Sequence, residues 1–328
     1  MEKFEGPFFV IGMPRSGTKL LRDLLNRHPQ ISIPEVETGF FPALVKKYGK
    51  EFDFNAVQRE ELFLDFFKTP FYWDVKQIGF SINADFIQKQ KTVTNWDEFG
   101  RLILGFFGPK SGKENIIIGD KTPYYVNHLS LLKSIWPSAK FIHIIRDPRD
   151  ISISVKNIWN KNMFRAAYIW KNTLGKTTFF KELYEDDYIE IKYESLISEV
   201  ESVMRELSSF LMITFHPSMC TLSKPAENYG DAKGKNIVVT NNKQKFLQVL
   251  SKSEIKALEE LTYSEMIRLK YQPLYANEEK KATSLMVFSW LTYDAYSSIQ
   301  FHIKEKGISQ GLSYFFKWHM QKHIRGGE

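Results

Sequence analysis

The chain has one cysteine, Cys220, in 328 residues, which excludes an intrachain disulfide. No cysteine and histidine stand at metal-ligand spacing, so a reducing compartment and a metal-free fold are expected. No segment offers the about 18 to 20 clean apolar residues of a membrane-spanning helix. The longest apolar-leaning stretch, Ala282 to Phe301, carries Asp294 and many Ser, Thr and Tyr residues and reads as a buried or interfacial helix. The opening residues Met1 to Pro7 run straight into an apolar strand without the pattern of a signal peptide, and a cytoplasmic protein is expected. Internal repeats and low-complexity runs are also missing.

What is present is ordinary globular composition, 43% hydrophobic and 25% charged, with a formal net charge of +7. A positive excess of this size favours an anionic ligand or an acidic surface without selecting one. Phe8-Phe9-Val10-Ile11 is a short apolar run between Pro7 and Gly12, the pattern of a strand buried on both faces. Similar runs recur at 115–118, 141–145 and 188–192, with helical stretches between them. Alternating strand and helix predicts an α/β fold: a central parallel sheet flanked by helices, with ligand sites at the carboxyl ends of the strands. The helix after the first strand places Leu20, Leu21, Leu24 and Leu25 on one face and Arg22, Asp23, Asn26 and Arg27 on the other, and stops at His28-Pro29. From Ser251 to Lys270 the spacing of Ile255, Leu258, Leu261, Met266 and Leu269 predicts another helix, and Pro273 follows it. The expected division is a main domain over 1–275 and a helical C-terminal extension over 276–328. The extension's aromatic tail, Tyr314 to His319, suits a packed appendage, a homodimer contact or a membrane-surface element.

Between the first strand and its helix lies Gly12-Met13-Pro14-Arg15-Ser16-Gly17-Thr18-Lys19. The two glycines have P-loop spacing, which lets backbone N–H groups curl around a phosphate at a helix N-terminus. Thr18-Lys19 reverses the Lys-Ser/Thr order of a Mg²⁺-binding nucleotidase, and Arg15 adds a cation inside the turn. A metal-free phosphate site fits this pattern better. A second cationic group, Arg146-Asp147-Pro148-Arg149-Asp150, ends the 141–145 strand, and Ser152 and Ser154 follow on the next helix. Arginine at a strand end and serine in the following helix's first turns can converge on one anion. Two glutamates alternate in Pro34-Glu35-Val36-Glu37-Thr38-Gly39-Phe40-Phe41, and Lys121 sits in Gly119-Asp120-Lys121-Thr122-Pro123 at the end of the Ile-rich strand.

The first loop resembles the 5'-phosphosulfate loop of the sulfotransferases that use 3'-phosphoadenosine 5'-phosphosulfate (PAPS), in the Pro-Arg-Ser-Gly-Thr version of tyrosylprotein and many bacterial members. Arg146 and Ser154, eight positions apart, resemble the family's 3'-phosphate signature. The resemblance covers about residues 8–273 and leaves the tail outside. It implies that Arg15, Ser16, Gly17, Thr18 and Lys19 hold the 5'-phosphosulfate end, with Arg15 assisting the leaving oxygen. Tyr193 would lie near the base, and Lys233, Gly234 and Lys235 would belong to a late loop covering the nucleotide. It further implies that Lys121, in a Lys-Thr-Pro element, approaches the transferred group. Among heparan sulfate sulfotransferases the catalytic Glu precedes a Phe-Phe pair by three residues, which selects Glu37 as base; counting from the loop as in tyrosylprotein sulfotransferases falls between Glu35 and Glu37, so Glu35 is the alternative. The expected acceptor is a hydroxyl of a small molecule, glycan, peptide or lipid, walled by the aromatic-rich stretches Phe40 to Trp73 and Trp159 to Trp170. No nucleic-acid partner is expected. The competing assignments are a P-loop kinase or NTPase, which would need Mg²⁺ and ATP, and a non-catalytic nucleotide-binding peripheral protein.

Overall fold

The computed structural model describes residues 4–51, 55–226 and 233–307. The described residues pack as two compact units, one within 4–145, 180–226 and 233–239, the other within 146–179 and 240–307. The aromatic tail from Tyr314 to His319 lies outside the described residues.

The first unit is built on a five-stranded, wholly parallel sheet of β1 (Phe8–Gly12), β2 (Ile31–Ser32), β3 (Ile117–Lys121), β4 (Lys140–Ile145) and β5 (Tyr188–Lys192), in the order β2-β3-β1-β4-β5. β1, at the centre, is buried along its whole length. Its side chains alternate across the sheet, as strand geometry requires. Phe9 and Ile11 enter a cluster with Phe41, Phe99, Tyr125 and Trp136, while Phe8 and Val10 join Leu20, Leu21, Leu24 and Leu25 of helix Thr18–Leu25. Helices therefore cover both faces of the predicted parallel sheet.

Three local expectations change. β3 starts at Ile117, two residues later than the apolar run suggests, because Asn115 is left-handed (φ 55°), so the strand runs on to Lys121. Arg22, expected on the polar side of its helix, is buried: its guanidinium donates to the Glu35 carbonyl (2.5 Å) and to Asp23 (2.7 Å). Most rings of the aromatic stretch after Phe40 are core rather than acceptor wall, since Phe40, Phe41, Phe63, Phe66 and Phe71 are all buried and pack edge to face or tilted against one another, whereas Trp73 at its end is exposed.

In the second unit, helix Pro148–Trp159 begins at the Asp147 cap, and helix Lys252–Arg268 begins with a Ser251/Glu254 capping box. Ile153, Met163, Phe246, Ile255 and Leu258 form its core. Arg149 is buried between the Asp147 carboxylate (2.7 Å) and Glu259 (2.6 Å), stacked on Phe246. Glu259 also accepts the backbone N–H groups of Leu274, Tyr275 and Ala276 (2.8 to 3.0 Å), which fixes the chain after its helix. The stretch 282–301, expected as a buried or interfacial helix, corresponds to helix Ser284–Lys306. Asp294 anchors it by accepting Arg165 (2.6 Å) and the Asn162 N–H (2.7 Å), and Phe288 and Tyr296 on its other side are exposed. Within the described residues no helix is long and apolar enough to cross a membrane. Because Glu259 satisfies a buried cation and three amides together, Glu259→Gln should lower unfolding free energy by about 3 kcal/mol; urea denaturation read by circular dichroism measures it.

Candidate active site

The loop leaving β1 is a tight turn closed by Ser16 N–H to Met13 O (3.2 Å), with Arg15 (φ 74°) and Gly17 (φ 92°) in the left-handed region. Such reversals turn successive backbone N–H groups toward one concavity at the start of helix Thr18–Leu25. Both glycines are needed for space. A Cβ on Gly12 would stand 2.5 Å from Ile144 O, and one on Gly17 would stand 2.4 Å from the Tyr193 ring. Arg15 and Lys19 are half-buried at the turn and Thr18 is buried. The Ser16 hydroxyl is buried and has no hydrogen-bond partner among the described residues. An unsatisfied buried hydroxyl in a cradle with two cations fits an anionic group such as the phosphosulfate of a nucleotide donor.

Val10 of β1 is in register with Lys121 of β3, so the loop and Lys121 leave the sheet at the same carboxyl edge. Lys121 is buried and its Nζ forms an ion pair with Glu37 across the strand end, while Glu37 itself is half exposed. Glu35, the alternative base, points elsewhere: its carboxylate pairs with Lys224, which holds it below the usual carboxylate range.

Beneath Glu37 lies a closed hydrogen-bond series that sequence reasoning missed. The Phe41 N–H donates to the Tyr125 hydroxyl (3.4 Å), and that hydroxyl lies 2.6 Å from the Thr38 Oγ. Thr38 Oγ donates to Asp120, Thr122 Oγ donates to the other Asp120 oxygen (2.6 Å), and the Thr38 N–H donates to Thr122 Oγ (3.1 Å). Burial pushes the Tyr125 phenol well above its ordinary value, so it stays a neutral donor. Burial also pushes Asp120 up to about 6, against the two threonine hydroxyls and the charge of Lys121, which favour ionisation. Asp120 is nevertheless mostly a carboxylate at neutral pH. The only signal in the chain was an acid beside Lys121; nothing local announces Thr38 or Tyr125 as its neighbours.

In the second unit Arg146 is buried, donates to the Asn242 carbonyl (2.9 Å) and lies 3.8 Å from Asp150. Trp170 donates to the Arg146 carbonyl (3.0 Å), which gives this expected acceptor-wall tryptophan a packing role instead. Ser154 is half-buried on helix Pro148–Trp159, and the neighbouring Ser152 hydroxyl is buried without a partner among the described residues. Back in the first unit, Tyr193 directly follows β5, is buried, and lays its ring on Gly17. It lines a small pocket with Leu20, Ala226 and Lys235. Lys233, Gly234 and Lys235 are exposed. The structure thus joins Glu37 to Lys121 and Tyr193 to the loop. Arg146 and Ser154 belong to the other unit. Among the described residues there is no group of His, Cys, Asp or Glu that could hold a metal ion.

The chain belongs to the Sulfotransferase family, whose model matches residues 7–217. It is similar to the Nodulation protein NoeE of Sinorhizobium fredii (29% identity over 151 residues, 46% of this chain and 31% of that protein). It is also similar to Protein-tyrosine sulfotransferase 1 of Danio rerio (26% over 221 residues, 64% of this chain and 54% of that protein). An uncharacterized protein of Aquifex aeolicus matches at 25% over 214 residues, 62% of this chain and 25% of that protein. The chain therefore spans between a quarter and just over half the length of these curated relatives. In fold it resembles the sulfotransferase domain from the curacin biosynthetic pathway (TM-score 0.56, 17% identity, 83% of this chain and 100% of that one). It likewise resembles the sulfotransferase domain of the Synechococcus PCC 7002 olefin synthase (TM-score 0.54, 19% identity, 83% of this chain and 97% of that one).

Two outcomes follow from this geometry. Gly17→Ala puts a Cβ into Tyr193 at a strained φ, so it should cost about 2 kcal/mol of stability and weaken adenosine 3',5'-bisphosphate binding at least about tenfold, checked by denaturation and equilibrium dialysis. Asp120 is raised from 3.8 to about 6 in the folded chain, so between those values the folded state holds the extra proton. Its contribution to stability is present at low pH and lost as pH rises through about 6, a change of up to about 3 kcal/mol. Thermal melts from pH 4 to 7 should show the wild type losing several degrees more than Asp120→Asn.

Proposed function

We propose that the chain transfers a sulfuryl group from PAPS to an acceptor hydroxyl, with Glu37 as general base. The observation that carries this reading is the Glu37–Lys121 ion pair at the carboxyl edge of β3, beside the strand that opens into the phosphate loop. A half-exposed carboxylate is accessible to an acceptor, and a buried lysine beside it supplies a fixed positive charge at the same edge.

The donor, when bound, supplies a sulfuryl group activated by a phosphate leaving group. Ser16, Gly17, Thr18 and Lys19 hold the 5'-phosphate through the loop's hydroxyls, N–H groups and ammonium. Arg15 neutralises charge that grows on the bridging oxygen. Arg146 and Ser154 are assigned to the 3'-phosphate by their motif, and Tyr193 with Lys233, Gly234 and Lys235 to the nucleotide's far side. Glu37 accepts the acceptor's hydroxyl proton, and Lys121 orients the carboxylate and offsets charge on the transferred group's oxygens. The single observation favouring Glu37 over Glu35 is the partner each holds, Lys121 or Lys224.

The acceptor is the hydroxyl of a small molecule, a glycan, a peptide tyrosine or a lipid headgroup, and the setting is a reducing, cytoplasmic one. We also propose the division at 276, with helix Ser284–Lys306 as the described part of an extension to the catalytic segment that is open to a homodimer or membrane-surface role. Glu37→Gln should lower sulfuryl transfer from PAPS by about 10² to 10⁴ fold while the affinity for adenosine 3',5'-bisphosphate stays within about twofold. Release of that product in the presence of a panel of phenols and sugars measures the first, and equilibrium dialysis the second. Near wild-type turnover by Glu37→Gln removes the base assignment.

A further inference from the structure

We propose that Asp120 is the positioning residue of the acceptor side: by accepting the hydroxyls of Thr38 and Thr122 it fixes the segment 37–41 against β3 and so sets where the Glu37 carboxylate stands. The inference rests on the reading of Glu37 as base, and it assigns a role to a residue that touches no substrate.

The geometry runs through five donors and one final acceptor. Phe41 N–H, the Tyr125 hydroxyl and the Thr38 hydroxyl pass the series toward Asp120 from one side, while Thr38 N–H and the Thr122 hydroxyl reach it from the other. Every hydroxyl in it has one role as donor and one as acceptor, and Asp120 alone can close the series, because only an ionised carboxylate accepts from both sides without donating. Asp120, Thr122 and Thr38 are each at most 3% exposed and Tyr125 is fully buried, so water does not replace a lost partner. Thr38 is the residue after Glu37, and Lys121 lies between Asp120 and Thr122. Lys121 is thus one residue from the Asp120 carboxylate, and Glu37 is one residue from Thr38, whose hydroxyl donates to that carboxylate. A general base displaced by about 1 Å can lose about 10² fold in rate, which gives a buried anchor kinetic weight.

The charged and titratable groups facing Asp120 are Lys121 on its own strand, Glu37 on the loop packed over it and Tyr125 on the turn below. Lys121 favours the carboxylate, Glu37 opposes it, and Tyr125 remains neutral. Acidification through about 6 therefore protonates Asp120 and turns one of its two oxygens into a donor, so that oxygen's threonine hydroxyl loses its acceptor in the present orientation.

The test compares wild type, Asp120→Asn, Thr38→Val and Thr38→Ser by amide hydrogen exchange without nucleotide, and by product release from PAPS with water and 4-nitrophenol as acceptor probes. The expected result is at least about tenfold faster exchange at Thr38 and Phe41 in Asp120→Asn and Thr38→Val, with Thr38→Ser restoring protection. Turnover should fall about 10 to 100 fold in the first two through kcat, with the donor KM within about twofold, and the wild-type loss of rate as pH falls through 6 should be absent in Asp120→Asn. Unchanged exchange in Asp120→Asn overturns the clamp. Faster exchange with unaltered turnover, in a protein that Glu37→Gln inactivates, overturns the positioning role. Failure of the base reading is recognised separately, by an active Glu37→Gln, whatever the exchange shows.

Discussion

The parallel register of β1 with β3 is the constraint on which the site depends. Because Val10 lies opposite Lys121, the strand that opens into the phosphate loop and the strand that ends in the lysine stop together. A one-residue slip would turn Lys121 to the other face of the sheet and bury Asp120's partners away from it. What prevents slippage is the sorting of side chains across β1, with aromatic rings on one side and the leucines of the following helix on the other. The core and the chemistry are set by the same alternation.

Against that rigid frame the site carries its costs locally. Arg15 adopts a left-handed conformation that a non-glycine residue occupies at about 1 to 3 kcal/mol. Ser16 keeps a buried hydroxyl without a partner among the described residues, and Asp120 keeps a carboxylate in a site that burial penalises. Lys121 is buried with a half-exposed partner. These features lie within or beside one sheet edge, while the buried Arg149 guanidinium of the second unit is paired by Asp147 and Glu259. Unfavourable local terms gathered at one edge are what a preorganised binding and reaction site looks like.

The sequence made the sheet and the loop turn legible because each rests on a short pattern, an apolar run or two spaced glycines, whereas the ion pair between Glu37 and Lys121 is a finding of the structure. Burial of Leu20, Leu21, Leu24 and Leu25 follows from helical spacing alone. Illegible features join residues far apart. Thr38 meets Asp120 and Tyr125 across 82 and 87 positions, and no local periodicity encodes such partners. Arg22 was misjudged because helix spacing ranks it as polar, whereas the Glu35 carbonyl and Asp23 receive its guanidinium inside the fold. Most of the aromatic stretch after Phe40 was misjudged for the converse reason, since composition cannot tell a binding wall from a core.

The central claim is that the loop from Gly12 to Lys19 grips the 5' end of a doubly phosphorylated adenosine without a metal. Isothermal titration of the full chain with adenosine 3',5'-bisphosphate in EDTA tests it most directly. The account predicts one site of micromolar or better affinity, with ADP and AMP at least about tenfold weaker and no gain on adding Mg²⁺. Absence of heat until Mg²⁺ is supplied, or tighter binding of ATP, would contradict it.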